Sequence, residues 1–267
     1  MTRRSAIRWT RWRRLVQLAI ALFYIVLPVA SRRGLSVSGN LAALKIGRID
    51  LIEPAAGLSA LFAGRNATAT LFAGIVPVVL LALILGPVFC SWICPWGLVS
   101  ERIDAFKSSQ HWSSKAWEPL RRIRPLSLAT WFAVSVLISV PLPAFFSAPR
   151  LITSLPLEAI FLRISPLVTG LILAGLLVLE MFAPRRIWCR ALCPAGALAN
   201  YLRCKKTVKV MVAERHCVCT AEPLCLTECR WGLDPRNIRS HDGCTNCMRC
   251  VEICPSGALA PVFRDAR

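Results

Sequence analysis

Histidine is scarce in this chain of 267 residues, and the three histidines, at positions 111, 216 and 241, lie outside every long apolar run. A b-type haem inside a membrane needs histidine ligands within the spans, so the sequence predicts no such haem. The motif C-x-x-C-H is absent, which excludes covalently attached c-type haem. A Gly-rich phosphate loop is absent as well, so we predict neither flavin nor nicotinamide nucleotide.

Acidic residues are also few, with 14 Asp and Glu against 33 Lys and Arg, for a formal net charge of +19. This balance could indicate nucleic-acid binding, but the basic residues lie between apolar runs and form no stripe interleaved with aromatic residues. Hydrophobic residues make up 55% of the chain, and its mean hydropathy is +0.55. The composition therefore predicts an α-helical integral membrane protein with no nucleic-acid partner.

Four segments supply the roughly 20 mainly apolar residues that a helix needs to cross a bilayer. They are residues 13–30, 71–93, 126–146 and 165–183. Proline inside such a segment would end a soluble helix, but membrane bundles tolerate proline as a kink. We therefore expect four continuous helices containing Pro28, Pro77, Pro87 and Pro141.

The distribution of Lys and Arg predicts the orientation of these spans. The N-terminal arm, the segment between spans two and three, and the tail from residue 184 together hold 26 of the 33 basic residues, and the other two loops hold 7. Both termini should be cytoplasmic, in the inner membrane of a bacterium. An alternative is that the basic N-terminus, its apolar run and the sequence PVAS form a cleavable export signal, which would leave three spans.

A dense row of cysteines ends the chain. The sequence CTNCMRCVEICP follows the C-x2-C-x2-C-x3-C-P pattern of bacterial ferredoxins, in which one tight turn supplies three ligands to a [4Fe–4S] cluster. The fourth cysteine then binds the other cluster of a two-cluster fold. Zinc is the alternative, although zinc sites more often use separated C-x2-C pairs or histidines. The four cysteines are Cys244, Cys247, Cys250 and Cys254.

A second run of cysteines lies upstream and is irregular. The regular spacing, counted back from Cys229, includes Cys225 and Cys219 but requires a ligand at position 222, which is Glu222. Either Cys217 or Glu222 would complete the set. The crossed pattern then assigns cluster one to Cys217, Cys219, Cys225 and Cys254, and cluster two to Cys229, Cys244, Cys247 and Cys250. We expect a cytoplasmic, two-cluster, ferredoxin-like α+β domain over residues 201–267, after a four-helix membrane domain over residues 1–200.

Two more cysteine pairs share the motif C-x3-C-P at the ends of spans two and four. Cysteines four residues apart lie on one face of an α-helix, and the following proline should end that helix. Both spans run inward, so both pairs should lie at the cytoplasmic surface as redox-active thiols or as metal ligands. The pairs are Cys90 with Cys94 and Cys189 with Cys193, and Cys204 fits no pattern.

The chain combines four apolar spans with the motifs FCSWICP and WCRALCP and the run from Cys244 to Pro255. In these features it resembles the NapH/MauN type of membrane ferredoxin. Related cores occur in NosR and CcoG. NapH is the quinol dehydrogenase membrane component of periplasmic nitrate reductase systems, and MauN is its counterpart in methylamine utilisation. The irregular run from Cys217 to Cys229 departs from the regular motif of NapH.

The resemblance implies that electrons pass between the quinone pool and a periplasmic oxidoreductase, commonly with a second, exported ferredoxin as partner. Quinol oxidation needs proton acceptors, and the acidic candidates on the outer face are Asp50, Glu53 and Glu158. Each is otherwise a solvated or helix-end charge. A different interpretation is an assembly or regulatory factor that handles metal or reductant for a partner metalloenzyme. A zinc-stabilised membrane scaffold is a third.

Overall fold

The computed structural model describes residues 8–34, 36–64, 68–107, 118–161, 165–183, 186–204, 206–212, 217, 223–238 and 242–263. Within these ranges the chain is mostly helical, with one small sheet before the second long helix and another in the tail. The helices that precede the tail are α1 Trp9–Arg32, α2 Pro54–Gly64, α3 Ala69–Leu85, α4 Pro95–Phe106, α5 Glu118–Ile138, α6 Leu142–Phe146, α7 Ala148–Phe161, α8 Ser165–Phe182 and α9 Pro194–Tyr201.

A helix lies at each of the four predicted spans, namely α1, α3, α5 and α8. Among the described residues, α1 alone is both long enough and apolar enough to cross a bilayer by those two criteria, with 24 residues. The apolar helices Ala69–Leu85, Ile123–Ile138 and Pro166–Phe182 are shorter. The helices are therefore where the sequence predicted them, and α3 and α8, with 17 and 18 residues, are shorter than the roughly 20 residues expected.

The prediction of four continuous helices is wrong for the second and third spans. Pro28 and Pro77 do lie inside α1 and α3, as expected. In contrast, α3 ends before Gly86, whose φ of +75° is outside the helical region, and Pro87 follows directly. In the third span, α5 ends before Pro141. Proline lacks an N–H and clashes with the preceding turn, and here the chain leaves the helix instead of kinking.

The segment between α1 and α3 forms a small antiparallel sheet, which the sequence did not predict. Its strands β1 Val37–Gly39, β2 Ala43–Ile46 and β3 Ile49–Ile52 pair in that order. The last strand packs directly on α3, because a Cβ added to Gly74 would lie 2.8 Å from the carbonyl oxygen of Asp50. The segment therefore folds against the bundle and directs α2 into it.

The tail has the predicted α+β character over its described residues. Strands β4 Lys209–Val212 and β5 Leu259–Val262 pair antiparallel, and the short helices α10 Leu224–Thr227 and α11 Arg249–Ile253 pack together beside them. Val210, Val251 and Leu259 form its core, together with Cys225 and Cys254.

The tail packs against one end of the helical bundle. The start of α1, the end of α3, the first half of α5 and the segment after α8 all reach it, so these four helices alternate in direction. The N–H of Val208 also donates to Ile84 at 2.9 Å, which joins the tail to the end of α3. The other contacts are Thr10 with Glu252, Asn246 with Leu85, Gly243 with Arg124, and Arg186 over the ring of Trp231.

A buried ion cluster joins α1 to α4 at the same end. Glu101 accepts hydrogen bonds from Arg13 and, at 2.7 Å, from Arg14. The side chains of Arg13 and Glu101 are only 5% and 2% exposed. Burial alone would raise the pKa of Glu101, but the two guanidinium groups outweigh it and lower that pKa to about 2. Glu101 is therefore a carboxylate at neutral pH.

Replacing Glu101 should destabilise the fold strongly. Glu101→Gln leaves Arg13 buried without its counter-charge, so we expect the free energy of unfolding to fall by about 3–5 kcal/mol. Denaturant unfolding of the detergent-solubilised protein, followed by circular dichroism, measures this. The matched control is Asp234→Asn, which breaks the exposed pair with Arg236 and should cost less than about 1 kcal/mol.

The same variant should show a defined pH dependence. The folded-state pKa of Glu101 is depressed from 4.5 to about 2, so its contribution is present above 4.5 and lost as the pH falls toward 2. The difference in stability between wild type and Glu101→Gln should therefore shrink across that window. A difference that stays constant there, or a loss equal to that of Asp234→Asn, contradicts this account.

Candidate redox site

Both C-x3-C-P motifs fold into the same uncommon structure. Residues Phe89–Ile93 and Trp188–Leu192 each form a π turn, the wide helical turn in which an N–H bonds to the carbonyl five residues before it. The N–H of Cys94 donates to Phe89 at 2.9 Å, and the N–H of Cys193 donates to Trp188 at 2.7 Å. Isolated π turns are often found at functional sites.

The prediction that each pair lies on one α-helical face, ended by the proline, is wrong. Cys94 and Cys193 are extended residues with ψ of 118° and 117°. Pro95 and Pro194 then begin α4 and α9. A residue before proline avoids the helical region, and proline suits the first position of a helix, where its missing N–H costs nothing.

The two π turns bring their cysteines together although a hundred residues separate them. Cys94 and Cys193 belong to one buried cluster with Trp96, and the half-buried Cys189 packs against it. The sulfur of Cys90 lies 3.8 Å from the position that a Cβ on Gly196 would occupy. Cys193 is within electrostatic range of Cys90, Cys94 and Cys189. The two cysteine pairs thus lie near each other between the helices, with Cys94 and Cys193 buried and Cys90 and Cys189 half-buried.

Helix α5 holds the second π turn through three side chains. Arg124 donates to the carbonyl oxygen of Arg190 at 2.7 Å, Ser127 to that of Ala191 at 2.5 Å, and Trp131 to that of Leu192 at 2.8 Å. These donors lie three and then four residues apart, so they share one helix face. Sequence analysis missed them, although polar residues at this spacing in an apolar helix are the signal that could have revealed them.

Helix α1 holds the first π turn in the same way. Gln17, which is fully buried, donates to the carbonyl oxygen of Cys94 at 3.1 Å, and Arg13 donates to that of Ser91 at 3.4 Å. Buried carbonyls without a partner are costly, and neighbouring helices are a common source of donors in membrane proteins. The flanking helices therefore fix the position of each cysteine pair.

The first π turn is also bonded directly to the cysteine loop of the tail. Ser91 donates to the carbonyl oxygen of Thr245 at 2.6 Å, and the indole N–H of Trp92 donates to that of Asn246 at 3.1 Å. Thr245 and Asn246 lie between Cys244 and Cys247, and Ser91 and Trp92 lie between Cys90 and Cys94. Two cysteine motifs from different parts of the chain thus meet through their intervening residues.

Asn246 fixes the cysteine loop on the end of α3. Its side-chain amide donates to Leu85 at 2.9 Å and to Val208 at 2.8 Å, while its own oxygen accepts from Arg203 at 3.2 Å. Its φ of +51° is one that asparagine adopts more readily than most residues. Arg203 also donates to the carbonyl oxygen of Cys244 at 3.0 Å. This anchor was another residue that the motif search missed.

The tail cysteines fit iron–sulfur ligation. Cys229 lies within electrostatic range of Cys244, Cys247 and Cys250. These four cysteines are the ones that the crossed pattern groups in cluster two. For cluster one, Cys225 and Cys254 share a core and Cys217 is exposed. Cys219 and Glu222 lie outside the described residues, as do all three histidines. Among the described residues, no three His, Cys, Asp or Glu side chains are grouped closely enough to hold a single metal ion.

Of the acidic candidates, Glu53 lies nearest to the membrane cysteines. Its carboxylate accepts the N–H groups of Ala55 at 2.9 Å and Ala56 at 3.1 Å, so it caps α2. It is 5% exposed, and burial raises its pKa to about 7 despite those two bonds, which favour the charged form. It is within electrostatic range of Cys90 and Cys193. Glu53 is therefore a buried charge at a helix end and not a solvated charge.

The other two acidic candidates lie elsewhere. Asp50 is half-buried on β3, opposite Lys45 of the neighbouring strand. Glu158 is buried in α7, where it accepts a hydrogen bond from Thr169 at 2.5 Å and lies 3.8 Å from Arg150. Glu158 is thus already paired, whereas Glu53 faces the cysteine site.

Family models match both cysteine-bearing regions. Residues 67–117 and 166–209 match one model described as a 4Fe-4S binding domain, and residues 238–260 match a second model with the same description. Each of the first two segments contains one C-x3-C-P pair and its π turn.

Named relatives match most of the chain. The putative electron transport protein YccM of Escherichia coli (strain K12) is 27% identical over 92% of this chain and 73% of its own length. The methylamine utilization ferredoxin-type protein MauN of Methylorubrum extorquens is 29% identical over 92% of this chain and 75% of its own length. The ferredoxin-type protein NapH of E. coli is 27% identical over 80% of this chain and 75% of its own length. No solved structure matches the chain.

Removing the indole hydrogen bond should loosen the cysteine loop. Trp92→Phe keeps an aromatic ring but deletes the N–H that bonds to Asn246, a loss of about 0.5–1.5 kcal/mol. We expect faster amide hydrogen exchange in residues 244–250, measured by mass spectrometry. Trp12→Phe is the matched control, because Trp12 is 61% exposed. Equal exchange in both variants would show that the bond does not hold the loop.

Proposed function

The chain belongs to the NapH/MauN/YccM family of ferredoxin-type iron–sulfur electron-transfer proteins, and from this premise we propose that it links the membrane quinol pool to a periplasmic redox enzyme system. In this role it is the quinol-oxidising membrane component, of the methylamine-utilisation or the periplasmic nitrate reductase type. Its partners are the quinone pool, an exported ferredoxin-type protein and a periplasmic oxidoreductase.

Membrane insertion is supported by the apolar side chains on the outside of the bundle. Leu22 of α1, Leu80 of α3, Leu137 of α5 and Leu171 of α8 are each more than half exposed in the isolated chain. Exposed apolar patches of this extent mark contact with lipid or with another protein. Here they lie on all four helices that coincide with the predicted spans, which favours lipid. The shorter helices would then cross with the help of the turns that follow them.

The proposed topology places both termini and the tail in the cytoplasm. The bundle end that contacts the tail is the end at which the basic N-terminal arm and the basic tail converge, as the positive-inside rule requires. Helices α3 and α8 both run toward that end, so both π turns lie on the cytoplasmic side.

Reporter fusions test this topology. Green fluorescent protein fused after Arg267 of the full chain should fluoresce, because it folds in the cytoplasm, and alkaline phosphatase at the same position should be inactive. The reverse pattern would place the tail outside and exclude the proposed arrangement. A fusion of both reporters to a protein of known orientation is the control.

The proposed cofactors are two [4Fe–4S] clusters in the tail. Cys217, Cys219, Cys225 and Cys254 would hold cluster one, with Glu222 as the alternative to Cys217, and Cys229, Cys244, Cys247 and Cys250 would hold cluster two. When bound, such clusters supply one-electron transfer at potentials that hydrogen bonds and burial adjust. In this chain the backbone around Cys244 and Asn246 is already fixed by Arg203.

Metal analysis of two single variants tests the ligand assignment. We expect about eight irons per wild-type chain, and about four after Cys247→Ser, because that cysteine belongs to one cluster only. Cys204→Ser should keep the wild-type content, since Cys204 is exposed and outside both sets. About four irons in the wild type would mean that the irregular run binds no cluster.

The observation that carries the proposal is the direct bonding of Ser91 and Trp92 to the loop between Cys244 and Cys247. It makes the membrane cysteine site and the tail one continuous unit, as transfer between a membrane donor and the tail requires. The test is anaerobic electron paramagnetic resonance of the purified protein before and after addition of a reduced quinol analogue. Cluster signals that respond to quinol support the proposal, and clusters reduced by dithionite but not by quinol refute it.

The convergence of the two cysteine pairs favours a second function, in which the protein assembles or regulates a partner metalloenzyme. The Cys90–Cys94 and Cys189–Cys193 pairs would then handle metal or reductant, and the clusters would supply electrons for that task alone. Slow or absent turnover with quinol, together with copper or iron binding that is lost in Cys94→Ser and Cys193→Ser, would favour this function over quinol oxidation.

A further inference from the structure

A cavity opens beside the first π turn, between α3 and α9. It holds about 610 Å³ of space when its open mouth is counted. Its walls are the apolar side chains of α3, the π turn and α9, among them Leu81, Phe89 and Leu198. Glu53 is the only ionisable residue among the described residues that line it.

We propose that this cavity binds the ring of an isoprenoid quinol and that Glu53 accepts a hydrogen bond, and then a proton, from a ring hydroxyl. The inference rests on the proposed function and adds its binding site and its proton acceptor. It treats the thiols of Cys90 and Cys193 as neighbours of the site and assigns them no ligand.

The chemistry of the walls selects this kind of ligand. A pocket that is apolar throughout, with one polar group, binds an apolar body and orients it by a single hydrogen bond. A quinol has this character, with an aromatic ring, hydroxyl groups and an isoprenoid tail. A charged metabolite would leave its charge against apolar walls, and a simple acyl chain would leave Glu53 without a partner inside the cavity.

The cavity adjoins the outer surface of α3. Leu81 lines the cavity and is also 47% exposed on the outside of α3. Its neighbours on the outer face of the same helix, Leu80 and Ile84, are 52% and 53% exposed. These residues belong to the surface that the proposed topology places in lipid. A quinol can therefore enter from the bilayer, with its tail left outside.

The cavity also adjoins the redox site. Phe89 lines it and immediately precedes Cys90, and the same π turn bonds to the cysteine loop of the tail. Oxidation of one quinol to a quinone releases two electrons and two protons. Glu53 takes one proton and solvent takes the other, and the iron–sulfur centres of the proposed function would be the one-electron acceptors for the two electrons.

The surroundings of Glu53 suit proton exchange at neutral pH. Burial raises its pKa to about 7, so the acid and the carboxylate interconvert within the physiological range. A general base works best when its pKa lies near the working pH. The bonds from Ala55 and Ala56 hold the carboxylate in place at the start of α2.

Photolabelling with a short-chain azido-quinone, on the full chain in lipid nanodiscs, tests the site without depending on turnover. We expect labelled peptides from α3 and α9. Ala82→Trp fills the cavity and should reduce labelling by about tenfold or more, because the space for the ring is lost. The matched control is Ala73→Trp, which makes the same change at an exposed position of the same helix and should label like wild type.

A second wall variant guards against misfolding. Ala199→Phe fills the cavity from α9, and iron content equal to wild type shows that a variant is folded. Loss of labelling in either folded variant supports the site. Undiminished labelling in both, or labelling that maps to other helices, overturns it.

Charge removal tests the role of Glu53. Glu53→Gln keeps the size of the side chain, so quinone labelling should persist while the rate of cluster reduction by quinol falls. An infrared carbonyl band of a protonated carboxyl, titrating near pH 7 and perturbed by quinone, should disappear in this variant. Loss of the rate in Asp50→Asn, with none in Glu53→Gln, would assign the proton to Asp50 and overturn the assignment.

The two proposals fail in different ways. Wild-type labelling in the cavity combined with clusters that do not respond to quinol would refute the proposed function and leave the quinone site standing. Quinol-driven reduction that survives in folded Ala82→Trp and Ala199→Phe would refute the cavity and leave the function standing.

Discussion

The rest of the structure depends on how the backbone of two π turns is satisfied away from water. Each turn exposes carbonyl groups that an α-helix would have bonded internally, and unpaired carbonyls are costly in a bilayer. Helix α5 supplies donors to the second turn, α1 supplies them to the first, and each proline then starts a new helix. The positions of the helices, of the four thiols and of the tail all follow from these bonds.

The tail extends the same arrangement. Ser91 and Trp92 donate from the first π turn to the loop of cysteines, while Asn246 of that loop donates to the end of α3. The bundle and the tail therefore share an interface of hydrogen bonds between their functional segments. Each half therefore completes the backbone bonding of the other.

Composition, motif spacing and apolar runs were enough to predict the helical class, the location of four helices and the 4Fe–4S character, and the resemblance to known proteins indicated the family. These sequence patterns failed where a local conformational preference competes with a tertiary contact. Pro77 stays inside α3, but Pro87 follows a helix end, where Gly86 leaves the helical region and Asn246 and Val208 pack on that end. The π turns were missed because a four-residue cysteine spacing fits an α-helix equally well. The fold-back of β3 against α3 was missed because it depends on Gly74 allowing close approach, a contact that no periodic pattern encodes.

We propose that the cysteine site of the two π turns and the tail act as one redox unit through the bonds from Ser91 and Trp92. The most direct test is the rate at which quinol reduces the iron–sulfur centres, followed by freeze-quench electron paramagnetic resonance in nanodiscs, in wild type and in the Ser91→Ala, Trp92→Phe double variant. The account predicts equal iron content and equal dithionite-reduced spectra, with clearly slower reduction by quinol in the variant. Equal rates in the two proteins would contradict it.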